Sequence, residues 1–125
     1  MSIVYDAGVL IAAERSHRRV WADHRVRLEM GFVPATTAPV VGQVSRSPRQ
    51  VQLRRFLRGC AVMAFTADEA HDVGTLLGDA AASDIVDAHL VRVAEKLGVG
   101  VLTADVEDVS RLAEHLASDV PVRPL

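Results

Sequence analysis

Ile3-Val4-Tyr5 is a short apolar run that stops at Asp6, and from Ala7 to Glu14 the apolar positions continue at helical spacing. This predicts a buried strand feeding a helix, with Asp6 at the junction. Trp21, Val26, Leu28 and Met30 predict a second helix, and Phe32-Val33 before Pro34 predicts a short strand or edge segment. Pro39 suits the first turn of a helix reaching about Arg46, and Ser47-Pro48 breaks it before another built on Val51, Leu53, Phe56 and Leu57 and ended by Gly59. Ala61 to Phe65 reads as a strand. Thr66 and Glu69 have capping-box spacing and open a helix through Leu77, followed by a loop from Gly78 to Ala82.

The clearest helix runs from Asp84 to Leu97, with Ser83 as cap and Gly98 as stop. Gly100 to Thr103 reads as a strand, 106–116 as a helix, and Val120 to Val122 as a last strand stopping at Pro124. Strands and helices alternate without repeat or linker. The expected fold class is therefore α/β, one domain over residues 1–125 with a central, mostly parallel sheet flanked by helices. Ligands of such folds gather at the carboxyl ends of strands, where Asp6 and Asp105 both fall.

Composition agrees with that fold. Half of the 125 residues are apolar and only 4% aromatic, so Val, Leu, Ile and Ala must build the core. The lone Cys60 can form neither an internal disulfide nor a thiolate zinc site, which points to a reducing cytoplasm. The apolar run Val9 to Ala13 lies between Asp6 and Glu14 and is too short for a signal core or a membrane span, so no membrane partner is expected.

Charge is divided unevenly. Residues 1–65 hold ten arginines against four acids, net +6, and residues 66–125 hold four basic residues against twelve acids, net −8. A basic half attracts phosphates and an acidic half collects cations. Arg46, Arg49, Arg54, Arg55 and Arg58 crowd one helix-turn-helix stretch, and Arg15, Arg18, Arg19, Arg25 and Arg27 form a second group. The five histidines lack ligand spacing and read as structural or exposed. The few aromatics read as core or interface.

Three acidic clusters lie at predicted element ends: Asp6, the pair Asp84 and Asp87, and the pair Asp105 and Asp108. Asp84 can be explained as a helix-cap neighbour, Asp87 as a surface acid paired with the helix dipole, and Asp105 or Asp108 as an N-terminal helix residue. Asp6, between an apolar strand and an apolar helix without a capping-box acid, resists that explanation. At roughly 4 Å and an effective dielectric near 20, each carboxylate pair costs about 4 kcal/mol, so converging acids either protonate or hold a cation. Oxygen donors without His or Cys select Mg²⁺ or Mn²⁺ rather than zinc.

Together, Val4-Tyr5-Asp6-Ala7-Gly8-Val9-Leu10, Asp84-Ile85-Val86-Asp87-Ala88-His89-Leu90 and Leu102-Thr103-Ala104-Asp105 resemble the PIN-domain family of ribonucleases, specifically VapC toxins, along the whole chain. Gly98, eleven residues after Asp87, matches the family's helix length. The resemblance implies a Mg²⁺-dependent endoribonuclease in which Asp6, Asp87 and Asp105 take the places of three family acids. Asp84 joins them as catalytic or metal residue, with Asp108 and Thr103 auxiliary. Gln43, within Val41-Gly42-Gln43-Val44, stands where the family usually has Glu, which leaves three firm carboxylates instead of four.

The resemblance also implies an RNA substrate, a homodimer and a cognate VapB-type antitoxin, with Arg46, Arg49, Arg54, Arg55 and Arg58 as contacts to RNA or antitoxin. Two rivals remain. A binding-only PIN fold would explain Gln43 as a mark of lost catalysis. A phosphoacceptor receiver domain fits poorly, because the only lysine, Lys96, falls inside a helix and Asp6 has no acidic neighbour.

Overall fold

The computed structural model describes residues 2–125. Among them the elements are β1 (Ile3–Tyr5), α1 (Ala7–Glu14), α2 (Arg18–Glu29), β2 (Ala35–Thr37), α3 (Ala38–Val44), α4 (Val51–Leu57), β3 (Ala61–Met63), α5 (Ala67–Ala80), α6 (Ile85–Leu97), β4 (Gly100–Thr103), α7 (Val106–Ala113) and β5 (Val122–Pro124). Every pair of neighbouring strands is parallel, in the order β3-β2-β1-β4-β5. The fold is α/β as expected, and its sheet is wholly parallel.

The chain moves outward from β1 through β2 to β3, then returns to set β4 on the other side of β1. Loops leaving the carboxyl ends of β1 and β4 therefore diverge, which opens a crevice between them. Tyr5 lies opposite Leu102, and the Asp6 amide donates to the Leu102 carbonyl at 3.1 Å, so Asp6 enters that crevice level with the end of β4.

β1 and β2 are buried at every position, as central parallel strands covered on both faces must be, while the edge strand β3 is only partly covered. Val4, Val9, Leu10, Leu90, Val91 and Val101 are fully buried and tie β1 and β4 to α1 and α6. Three of the five aromatic residues, Tyr5, Trp21 and Phe56, meet in one cluster with His24. Phe56 lies 5.4 Å from Tyr5, 5.1 Å from Trp21 and 3.9 Å from His24 between ring centroids. Arg27 donates to the Tyr5 hydroxyl at 3.1 Å, and that hydroxyl donates to His24 Nδ1 at 3.0 Å. Desolvation pushes Tyr5 up to about 12 and lowers His24, so both polar groups are held neutral inside the cluster.

Several boundaries differ from the sequence expectations for identifiable reasons. Phe32 and Val33 are exposed loop residues, and β2 begins after Pro34, whose carbonyl accepts from Ala61. Two threonines carry this strand because Thr36 donates its hydroxyl to the Tyr5 carbonyl at 2.9 Å. In α2 the buried positions are Val20 and His24, whereas Val26 and Met30 face outward. α3 stops at Val44 and β3 at Met63.

α5 runs through the expected loop to Ala80, since Leu76 and Ala80 continue its buried face, and Ala81 closes it at φ +50. Asp84, not Ser83, caps α6. α7 ends at Ala113, where tighter turns to Leu112 and Ala113 take over. β5 covers Val122–Pro124: the Pro121 carbonyl accepts from the Val101 amide at the start of the pairing with β4, and Pro124, expected to stop the strand, lies within it opposite Thr103.

The expected stop of α6 is present: Gly98 adopts φ +70, a left-handed conformation that glycine adopts without steric cost. Gly98→Ala meets no neighbouring atom, so backbone strain alone should cost about 1 kcal/mol. Urea unfolding should show a lower midpoint at unchanged slope. No helix is long and apolar enough to cross a membrane among the described residues.

Candidate functional site

Three helices present their N-termini at the crevice: α1 and α7 because they follow β1 and β4, and α6 because it runs back along the sheet before entering β4. An aspartate caps each of them. Asp6 Oδ1 accepts from the Val9 amide at 3.2 Å, Asp84 Oδ1 from the Asp87 amide at 3.1 Å, and Asp105 Oδ1 from the Asp108 amide at 3.4 Å. Asp6 is thus a helix cap after all, although no capping-box acid marks it. The partial positive charge at each helix start offsets part of the repulsion among the carboxylates.

Asp6 is buried, 7% exposed, and its second oxygen is also engaged. Oδ2 accepts from the Thr103 hydroxyl and from the Ala104 amide at 3.2 Å. The Thr103 oxygen in turn accepts from the Asp105 amide at 2.8 Å. One buried hydroxyl therefore links the cap of α1 to the residue that caps α7, and fixes the distance between two helix starts. Desolvation raises the Asp6 carboxyl above its usual range, against the lowering effect of these hydrogen bonds.

Asp87 stands in the first turn of α6, half-buried, and its side chain has no hydrogen-bond donor beside it among the described residues. Burial, followed by the charges of Asp84, Asp6, Asp105 and Asp108, pushes its pKa up to about 6. The other four acids expected at the site thus all act on this one carboxyl group. Asp108, exposed, is raised by its side-chain hydrogen bond with Asp105 and by that neighbour's charge.

Asp84, Asp87 and Asp108 line a concavity of about 360 Å³ together with Ser83, Arg111 and Leu112. Arg111, 4.0 Å from Asp108, is the nearest cation to the cluster that forms an ion pair with it, and the sequence pattern alone did not single it out. Its i,i+3 spacing from Asp108 on α7 is the signal that points to it. Gly8 was also unmarked as a site residue. A Cβ there would lie 2.5 Å from the Ala104 Cβ, so only glycine lets the first turn of α1 abut the β4 to α7 loop.

Other expected residues lie apart. Gln43 is exposed on the last turn of α3 and makes no hydrogen bond to any of the acids among the described residues. Arg46 donates to the carbonyls of Gly42 and Ser45 at 3.1 and 2.8 Å, and Arg55 donates to Gln52 and covers the Trp21 ring. Arg49, Arg54 and Arg58 are exposed, and none of these five arginines pairs with the aspartates among the described residues. The basic surface and the acidic crevice are separate features.

The donors available for a metal are Asp6, Asp84, Asp87 and Asp105. No three His, Cys, Asp or Glu side chains stand close enough together to hold a metal ion among the described residues. The four carry only oxygen donors, and the charges of Asp84, Asp6 and Asp105 all bear on Asp87.

No family model and no curated protein matches the chain. The crystal structure of PAE2754 from Pyrobaculum aerophilum is similar in fold, with a TM-score of 0.65 over 96% of this chain and 83% of that one at 15% identity. The chain therefore shares an α/β architecture with that protein.

Proposed function

We propose that this chain is a metal-dependent endoribonuclease of the PIN-domain type, acting as the toxin of a VapBC pair and cleaving RNA phosphodiester bonds. The observation that carries this reading is the gathering of Asp6, Asp84, Asp87, Asp105 and Asp108 at the reversal point of the sheet, where Asp87 is pushed up to about 6. Repulsion of that kind costs folding energy and is relieved by a divalent cation.

Asp6, Asp87 and Asp105 would hold Mg²⁺ or Mn²⁺, with Asp84 beside them. The bound ion would offset phosphate charge and bring the pKa of a water toward neutrality. Thr103 acts as a positioning residue, since its hydroxyl keeps Asp6 in place and orders the backbone that carries Asp105. Arg111, in the adjoining concavity, supplies a cation for a phosphate oxygen. A cytoplasmic homodimer and a VapB-type antitoxin complete the reading, and exposed Val26, Leu28 and Met30 leave α2 free for such contacts.

A second reading, a PIN fold that binds without cleaving, is favoured by one feature: both oxygens of Asp6 are already occupied by internal donors. Total RNA incubated with Mg²⁺, Mn²⁺ or EDTA separates the two. Cleavage should require metal and should disappear in Asp6→Ala and Asp87→Ala proteins that remain folded by circular dichroism. Wild-type activity equal to that of both variants would sink the enzyme.

A further inference from the structure

α2 and α4 enclose a groove of about 390 Å³ on the basic side of the molecule, lined by Arg18, Trp21, Ala22, Arg25, Gln52 and Arg55, with Ser16 at one end. Arg18, Trp21, Ala22 and Arg25 follow the i, i+3, i+4, i+7 spacing of one helix face. Gln52 and Arg55 face them from α4, one turn apart. No carboxylate lines the groove, and none of its three arginines forms an ion pair among the described residues.

Nothing inside the fold rewards this arrangement. Arg18 opens α2, whose first turn holds no acid and whose positive dipole end disfavours a cation. Three guanidinium groups around one groove repel each other. Arg55 is nevertheless held in place, 5.9 Å from the Trp21 centroid and donating to Gln52 at 3.2 Å. Trp21 is fixed in turn, its indole donating to the Ala13 carbonyl at 2.9 Å. One guanidinium is thus held at the groove wall and two more, Arg18 and Arg25, stand exposed beside it, all three without a carboxylate partner, an arrangement that calls for an external anion.

We infer that this groove is a phosphate-binding exosite for single-stranded RNA, an inference that rests on the ribonuclease reading for the identity of the polymer. An acidic helix would need an apolar stripe to dock on, and the groove offers only Ala22 and a tryptophan already covered by Arg55. Planar guanidinium forks and a side-chain amide match phosphate oxygens instead. Ser16 lies just beyond the end of α1 opposite to Asp6, so about 12 Å of helix separates groove and crevice. A bound strand would be anchored at one site while another of its phosphates lies at the acids.

The test is fluorescence anisotropy of a labelled single-stranded RNA in EDTA, titrated from 50 to 200 mM KCl against wild type and the variant Arg18→Gln/Arg25→Gln/Arg55→Gln. The triple variant should bind about tenfold or more weakly at 100 mM salt, with a log-log salt slope shallower by about 2, near 0.7 per lost phosphate contact. Arg18→Gln alone, at an exposed residue without partners, should remove about one third of that slope. Unchanged affinity and slope in a folded triple variant would overturn the exosite, as would loss of poly-glutamate binding with RNA binding intact. RNA bound through the groove without any cleavage in Mg²⁺ or Mn²⁺ would uphold the exosite and sink the nuclease reading. Cleavage with binding unaffected by the triple variant would do the reverse.

Discussion

Replacing Asp87 by asparagine is expected to stabilise the protein at pH 7 while lowering RNA cleavage by roughly a hundredfold or more. In the folded protein this carboxyl titrates near 6, against an ordinary value of 3.8, because it is half-buried and faces the charges of Asp84, Asp6, Asp105 and Asp108. The folded state therefore holds its proton more tightly than the unfolded chain does. Stability should fall as pH rises from about 4 to about 6 and stay level above that as far as this group is concerned. The substitution removes the ionisation, so the fall should shrink.

Solvent screens a group that is nearly half exposed, and the gain at pH 7 is accordingly about 1 kcal/mol instead of the full value of the shift. Urea titrations at pH 4.5 and 7 measure it: wild type should lose stability between them, and Asp87→Asn should lose less. Millimolar Mg²⁺ should raise the thermal midpoint of wild type at pH 7 and raise that of the variant less, because binding to the folded state alone stabilises it. A variant that is less stable than wild type at pH 7 would mean that the carboxylates do not burden the fold. The usual relation of a functional site to stability would then be missing here.

Much of this architecture was legible because it depends on local chemistry. Thr66 and Glu69 announce α5, Gly98 ends α6, and the apolar runs of β1 and β4 read as central parallel strands. The strand that sequence misplaced, β2, is Ala-Thr-Thr, a run without large apolar residues. Its threonines are buried because Thr36 finds the Tyr5 carbonyl, a partner 31 residues away that no local pattern reveals. For the same reason the buried face of α2 was not legible: it is set by His24 packing on Phe56, while Val26 and Met30 are exposed.

The site divides along the same line. Asp6, Asp87 and Asp105 were visible as acids at element ends, and the structure brings them within mutual influence. Their roles as caps were partly hidden. The Thr103 hydroxyl that links Asp6 to the Asp105 amide spans 97 residues of sequence and follows only from the pairing of β1 with β4. Gln43 marks the opposite case. Its sequence position aligned it with a functional place, while the fold leaves it exposed at the end of α3, unconnected to the carboxylates.

Gly8→Ala should invert the ordinary rule for a helical glycine. In most helices the change stabilises by roughly 0.5–1 kcal/mol, since alanine loses less backbone freedom on folding. Here the new methyl would meet the Ala104 Cβ at 2.5 Å, and Asp6 Oδ1 and the Ala104 nitrogen at 3.3 and 3.4 Å. Ala104 has no rotamer with which to yield, and its amide holds Asp6 at 3.2 Å, so relief must come from separating α1 from the β4 to α7 loop. That movement strains the same contacts that fix Asp6 and Asp105. The expected cost is about 1–3 kcal/mol of stability, together with loss of cleavage.

The second substitution Ala104→Gly removes the colliding methyl and leaves the amide that binds Asp6 in place. It should recover most of both losses in the Gly8→Ala background, although alone it brings no gain. Chemical denaturation and cleavage rates for the four proteins give the coupling, expected at about 1 kcal/mol or more because the two residues touch. Simple additivity would show that Gly8 acts through helix propensity instead of contact. Strong coupling in stability with none in cleavage would separate the packing of α1 from the placement of Asp6, and would move the seat of catalysis away from the crevice between β1 and β4.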